Sequence, residues 1–294
     1  MNIQALPLVF LTGVAFGTSL VASRFGLSQF NPFVYTGLRL TLAGLGFVSI
    51  YLFSRRRSWP TDARMWRYTA VMGVFGTAIP MTAMLLSLRY LSSGIAAIFI
   101  TTMPALTVLL AHFLLAGEQL TRRKMLGVGL ALGGALLLAA RGETGLVDGQ
   151  SSWLGYGFIA IVLLFSSAPT IYARIYLTEF DAFQVTSVQI FTACLVMMPL
   201  SAIFIGVDLQ GVNEQGYFAL IYSAIAGNVI GFFCFFYIIK RFGATDAAMT
   251  GYTIPVVTGI TGWLVLGEAI TLGMVIGITI IILGLMLINS RSAT

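Results

Sequence analysis

The sequence predicts an all-α integral membrane protein of ten transmembrane helices, built as two inverted five-helix repeats. Three observations predict it. Of 294 residues, 58% are apolar and only 9% charged, with a mean hydropathy of +0.96; a soluble domain keeps about a quarter of its residues charged to face water. Nearly uncharged runs of span length recur along the whole chain. The second half then repeats the first at an offset of about 150 residues. A span takes roughly 20 apolar residues, so ten use about 200 and leave about 9 per connection. That leaves no room for an extramembrane domain.

The runs fall at 4–22, 32–53, 67–88, 94–116, 124–140, 152–172, 182–205, 216–239, 247–266 and 271–289. The first reads as a span rather than a signal peptide: nothing basic precedes Leu6 except the amino terminus, and no small-x-small cleavage site follows. Arg39 lies in the second, Pro80 in the third, and Pro104 with the sole histidine, His112, in the fourth. The fifth and tenth carry Gly129-x-x-x-Gly133 and Gly273-x-x-x-Gly277. Such spacing reads as tight packing against the bundle, with dimerisation as the alternative, so a monomer or weak dimer is expected. Pro169 lies in the sixth span, Gln189 in the seventh, Asn228 and Tyr237 in the eighth, and Tyr252, Thr253 and Pro255 in the ninth. Cys194 and Cys234 sit in apolar runs, where packing suits them better than a disulfide or metal site.

Orientation follows from Lys and Arg in short loops. With the amino terminus in the cytoplasm, that side holds Arg55, Arg56, Arg57, Arg64, Arg67, Arg122, Arg123, Lys124, Arg174, Lys240, Arg241 and Arg291, against Arg24, Arg89 and Arg141 outside. Both termini should therefore be cytoplasmic, in a multi-pass plasma (inner) membrane protein. The net charge of +6 belongs to these loops near anionic lipid, which excludes nucleic acid as a partner. Trp59, Trp66 and Trp153 near span ends read as interfacial anchors.

At the 150-residue offset Arg24 falls on Arg174, Phe30 on Phe180, Phe33 on Phe183, Gly117-Glu118 on Gly267-Glu268, Thr121 on Thr271 and Gly127 on Gly277. Pro104 and Pro255 match with one residue of slippage. The repeats are residues 1–141 and 152–290. Five spans is an odd number, so the second unit enters the membrane in the opposite sense, a common plan of secondary transporters.

The duplicated five-span unit, the proline midway along spans four and nine, the Gly-Glu turns of LLAGEQLT and LVLGEAIT, and the arginine of YTGLRLTLAG carry a resemblance. Over nearly its whole length the chain resembles the EamA-type branch of the drug/metabolite transporter superfamily. The resemblance implies a basket of ten helices, with spans one to four and six to nine around a central cavity. It also implies export of amino acids or related small metabolites. Met103 stands where the aromatic amino acid exporters of that branch carry aromatic residues.

An ionisable group inside a span is costly and is a functional candidate by default. Arg39 lies about 10 Å into its span at 1.5 Å per residue, with Gln189 as its repeat counterpart. It reads as an anchor for a substrate carboxylate, or as an arginine that snorkels or bonds backbone carbonyls. Pro80, Pro104, Pro169 and Pro255 free backbone carbonyls at membrane depth, tolerated where the chain is buried or lines a cavity, and are hinge candidates. Thr101, Thr102 and Met103 before Pro104, and Tyr252 and Thr253 before Pro255, line the cavity or repair the kinks. Gln189 and Asn228 bind substrate or join helices; Tyr35 and Tyr237 are further cavity candidates. His112 reads as a proton shuttle or as a packed side chain.

All ten acids lie at span ends or in loops. Cationic drugs then lack a counter-charge, and dianionic phosphates want several cations where Arg39 is one. The sequence thus points to a carrier exporting neutral or zwitterionic metabolites, above all amino acids, by alternating access. A channel-like facilitator, or an efflux carrier for other metabolites or drugs, is the alternative. One histidine and no embedded acid supply no catalytic residue, metal site or cofactor site, so an enzyme is not expected.

Overall fold

The computed structural model describes residues 3–54, 57–115, 120–147, 153–242, 246–247 and 249–289. Arg55, Arg56, the first Gly-Glu turn at Gly117-Glu118, Asp148 and Arg291 lie outside them. All regular structure among the described residues is helical. The helices are α1 (Leu6–Gly26), α2 (Pro32–Phe53), α3 (Ala63–Ser87), α4 (Ser93–Leu114), α5 (Arg122–Ala140), α6 (Trp153–Tyr176) and α7 (Ala182–Ile205). Next is α8, made of Glu214–Ser223, a π segment Ala224–Gly231 and Phe232–Phe242. Then come α9 (Thr250–Leu266) and α10 (Leu272–Asn289). Eight of these helices are long and apolar enough to cross a membrane, and α9 and α10 are shorter apolar helices.

Polar side chains fix the helix starts, and they do so twice over. Asn31 caps α2 through the Phe33 amide at 3.0 Å, with Pro32 at the first helical position. Its repeat counterpart Asp181 caps α7 through Phe183 and Gln184, both at 3.1 Å. Thr121 accepts from the Lys124 amide and Thr271 from the Met274 amide, at the heads of α5 and α10. Asp62 caps α3, so that helix starts at Ala63 rather than at 67: a cap tolerates the arginines that follow it. At the other end α1 runs on to Gly26 and α6 to Tyr176. Arg24 and Arg174 are thus the last turns of helices, not loop residues.

Beside an apolar core, burial departs from that of a soluble protein. Ser19, Ser23, Thr36, Ser167 and Ser223 are inside, while Leu52, Phe53, Phe113 and Leu136 are outside, as a hydrocarbon solvent requires. Several helices depart from regular α geometry. A π segment, Val74–Ala78, precedes Pro80 in α3, and its counterpart Ala224–Gly231 opens α8 150 residues later. The turn at Thr101 and Thr102 splits α4 into Ser93–Ile100 and Met103–Leu114 ahead of Pro104, whereas α9 continues through Pro255.

The glycine spacing expected to pack α5 is corrected. Nothing lies within 4 Å of a methyl built on Gly129 or Gly133. The contact with α10 runs instead through Gly127 and Gly134, two turns apart, against the backbone oxygens of Gly284 and Gly277. The G-x-x-x-G spacing therefore lies on the wrong stripe of α5. Gly127→Val should lower thermal stability in detergent by roughly 1–3 kcal/mol, the usual cost of overpacking, because its Cβ would sit 2.5 Å from a carbonyl oxygen. Gly129→Val should not. Heating followed by fluorescence-detected size exclusion tests the pair.

At one end of the bundle Arg24, on the last turn of α1, reaches the backbone after α3 at Leu88 and Leu91. At the other, the Tyr176 ring on the last turn of α6 packs at a tilt 5.0 Å from that of Tyr68 on the first turns of α3.

Candidate functional site

Arg39 lies mid-bundle on α2, and three helices converge on it. Its Nε donates to Asn228 Oδ1 at 2.8 Å, Nη1 to Ser23 Oγ at 2.7 Å and Nη2 to Ser19 Oγ at 3.0 Å. Ser19 and Ser23 are four apart and so share one face of α1. Asn228 sits in the π segment of α8, a wide turn often found at functional sites. Gly227 makes the approach possible, since a Cβ there would press on Ser19 Oγ and Arg39 Nη2.

The neighbouring groups are tied in turn. Ser23 donates to Ser19 O at 2.7 Å, and Ser19 to Ser223 O at 3.0 Å. The fully buried Tyr35 shares a 2.7 Å bond with Ser223 and donates to Ala219 O at 3.2 Å. Every partner of Arg39 is a neutral oxygen, and no ion pair involves it among the described residues. Among the described residues three of its five N–H groups are engaged.

The repeat reproduces this geometry without the charge. Gln189, the counterpart of Arg39, donates from Nε2 to Thr77 Oγ1 at 2.7 Å. Thr77 lies in the π segment of α3, as Asn228 lies in that of α8. A Cβ on Gly76 would touch Pro169, the counterpart of Ser19, at 3.0 Å. Arg39, Tyr35 and Asn228 thus come together, and Gln189 forms the second, related pair.

The other candidates are placed elsewhere. Thr101 and Thr102 are buried and donate to Ala97 O and Phe99 O of their own helix, at 2.8 and 2.7 Å. The Met103 carbonyl accepts from Ser167 at 3.3 Å, bridging α4 to α6. Thr253 donates to Thr250 O at 2.9 Å and packs on Gly13 of α1, and Tyr252 packs at the edge of the main core. Tyr237 is exposed beside Arg241, and His112 is exposed beside Phe113. Neither joins the cluster.

Sequence reasoning missed Ser19, Ser23 and Ser223. Their only signal is the four-residue spacing of two hydroxyls on one helix, and serine in a membrane helix commonly bonds its own backbone. It also missed the partner of Glu268. This carboxylate is 5% exposed and pairs with Arg24 Nε at 2.8 Å, across 244 residues of sequence.

Among the described residues, eight apolar helices of span length, two shorter ones and a polar cluster gathered about Arg39 define a multi-pass membrane protein. The EamA-like transporter family profile matches the chain twice, over residues 3–140 and 153–290, and the chain belongs to that family. Similar proteins include the uncharacterized transporter YoaV of Bacillus subtilis, 22% identical over 92% of this chain and 91% of that one. An uncharacterized transporter of Archaeoglobus fulgidus is 23% identical over 95% and 96%, and the uncharacterized inner membrane transporter YedA of Escherichia coli is 22% identical over 91% and 86%. One crystal structure shares the fold at a TM-score of 0.66 and 20% identity, covering 98% of this chain and 97% of its own.

Proposed function

We propose that this transporter is a carrier that exports neutral or zwitterionic small metabolites, above all amino acids, by alternating access. One observation carries the reading. A guanidinium held mid-bundle entirely by neutral oxygens keeps its full positive charge for a ligand, and a carboxylate is the ligand that a two-pronged N–H donor suits best. An α-amino acid brings that carboxylate, and its ammonium group finds acceptors in the serine and tyrosine oxygens alongside. A cationic drug would meet Arg39 with no acid beside it. A phosphate dianion would meet one cation where it needs several.

The two units, residues 1–141 and 152–290, are inverted relative to one another in this reading. Arg24 ends α1 next to the end of α3, whereas Tyr176 ends α6 next to the beginning of α3; opposite senses for α1 and α6 support the inversion. The basic loops favour cytoplasmic termini, and the inner membrane relative YedA favours a bacterial inner membrane. Pro80, Pro104, Pro169 and Pro255, with the π segments of α3 and α8, are the hinge points about which the halves rock.

The test is uptake by proteoliposomes of labelled neutral amino acids, aromatic amino acids, an organic cation and a sugar phosphate, with unlabelled competitors, with and without a pH gradient. Saturable, trans-stimulated amino-acid flux supports the carrier. Linear flux without trans-stimulation indicates a channel-like facilitator instead, and transport of the cation or the phosphate alone overturns the substrate class.

A further inference from the structure

We propose that the Arg24–Glu268 pair is the outer gate of the transport path, a clasp that must open before the end of the bundle bearing the α1–α2 and α9–α10 turns admits water to Arg39. The proposal rests on the alternating-access reading above, and its test does not require transport.

The clasp is built by the last turn of α9. Gly267 takes a left-handed conformation, φ 64°, which ends the helix and turns the next residue inward. The Glu268 carboxylate then accepts from Arg24 Nε at 2.8 Å, from the Ser93 amide at 2.8 Å, from Ser93 Oγ at 2.7 Å and from the Gly94 amide at 3.3 Å. Arg24 uses Nη1 on the carbonyls of Leu88 and Leu91. One carboxylate and one guanidinium thus join four pieces of chain: the end of α1, the α3–α4 turn, the head of α4 and the α9–α10 turn. Two backbone bonds extend the seal to the α5–α6 loop, Ser92 N to Thr144 O at 2.8 Å and Ala269 N to Gly145 O at 3.0 Å.

Small residues let the helices close beneath it. A Cβ on Gly262 would touch Ser93 Oγ at 2.8 Å, and one on Gly94 would lie 3.6 Å from the Gly259 Cα. The elements held together come from both halves of the chain, so no movement of one half against the other at this end leaves the clasp intact.

Its chemistry suits a reversible latch. Both charges sit at the ends of their helices, so when the pair parts each group is rehydrated, and the lost contacts are largely exchanged for water. An apolar contact of equal extent would gain nothing on opening toward water.

Thr258 is a suitable reporter. It is fully buried on α9 against Gly17 of α1, about 12 Å inward from the end of its helix at 1.5 Å per residue. In a background with Cys194→Ser and Cys234→Ala, Thr258→Cys is exposed to a membrane-impermeant maleimide from outside intact cells, with Arg24 and Glu268 native or replaced. Glu268→Gln and Arg24→Gln should each raise the labelling rate roughly tenfold or more, the factor that losing one charge-assisted hydrogen bond supplies. Arg24→Lys, which keeps the charge but not the fork, should raise it clearly less than Arg24→Gln. Variants are compared at equal surface abundance and with monodisperse elution, so that one misfolded neutral variant leaves the other to decide. Rates equal to the parent in a folded neutral variant overturn the gate, as does a rise in Arg24→Lys as large as that in Arg24→Gln. Because the readout uses no substrate, a clasp that labels as expected in a protein that moves no amino acid would leave the gate standing and remove the substrate class.

Discussion

Arg39→Ala is expected to abolish saturable amino-acid flux in proteoliposomes while the protein still elutes as one species. The reason lies in how the site is tied together. Removing the guanidinium takes one donor from each of Ser19, Ser23 and Asn228. Yet Ser19 still donates to Ser223 O and Thr18 still bonds the Tyr222 hydroxyl, so the packing of α1 against α8 keeps its own bonds. The ligand has no such reserve. Each hydrogen bond from a charged donor contributes about 1.5–3 kcal/mol, so losing a two-pronged contact raises the half-saturation concentration by a factor on the order of 100 or more. Arg39→Lys should retain only a fraction of the flux. An ammonium is a point charge on a flexible stem, and it lacks the planar fork that reaches three oxygens and a carboxylate together. The measurement is initial rate against substrate concentration for the three proteins side by side. An unchanged half-saturation concentration in Arg39→Ala would remove the anchor from the mechanism.

The sequence made the spans legible because hydrocarbon leaves few choices. A chain that crosses a bilayer must satisfy its backbone internally, so apolar length alone locates the helices. Their ends were legible where a cap marks them, as at Asn31 and Asp181, and misjudged where a charged residue stays helical, as Arg24 and Arg174 do. Arg39 stood out because no other Lys or Arg lies so deep. Its partners did not stand out: a serine on α1 faces Arg39 only because α1, α2 and α8 converge, and convergence across 204 residues leaves no local pattern. Glu268 looked like one interfacial acid among ten for the same reason, its contacts with Arg24, Ser93 and Gly94 all being long-range. The G-x-x-x-G spacing of α5 misled in the opposite way. A local pattern was present, but the helix packs on the stripe of Gly127 and Gly134.

The two halves keep one plan and differ where the chemistry is. A π segment, a glycine and a long polar side chain meet in each, as Arg39 with Asn228 and Gln189 with Thr77. Only one carries charge. In the proposed carrier a single cation would give the path a polarity that backbone duplication alone lacks, with one end of a zwitterion fixed by Arg39 and the other left to neutral oxygens.

Asn228→Asp tests that asymmetry with the least change of shape. The substitution keeps an oxygen where Asn228 Oδ1 now accepts from Arg39 Nε at 2.8 Å, and it adds a negative charge. Arg39 would then be neutralised from within the protein. A pair at that distance in a poorly hydrated interior attracts far more strongly than in water, and the fold should tolerate it, since a lone buried cation is the costlier arrangement. The incoming carboxylate would find its counter-charge taken and a like charge beside it. The expected result is a rise of at least roughly tenfold in the half-saturation concentration for amino acids, equivalent to about 1.4 kcal/mol, with thermal stability equal to or above that of the parent. Affinity for an organic cation should rise in the same variant, because the site is no longer positive. Asn228→Ala separates the contributions: it removes the acceptor without adding charge, and should cost substrate affinity much less. If Asn228→Asp transports amino acids as the parent does, the substrate carboxylate binds elsewhere, and Arg39 holds α1, α2 and α8 together without touching what passes between them.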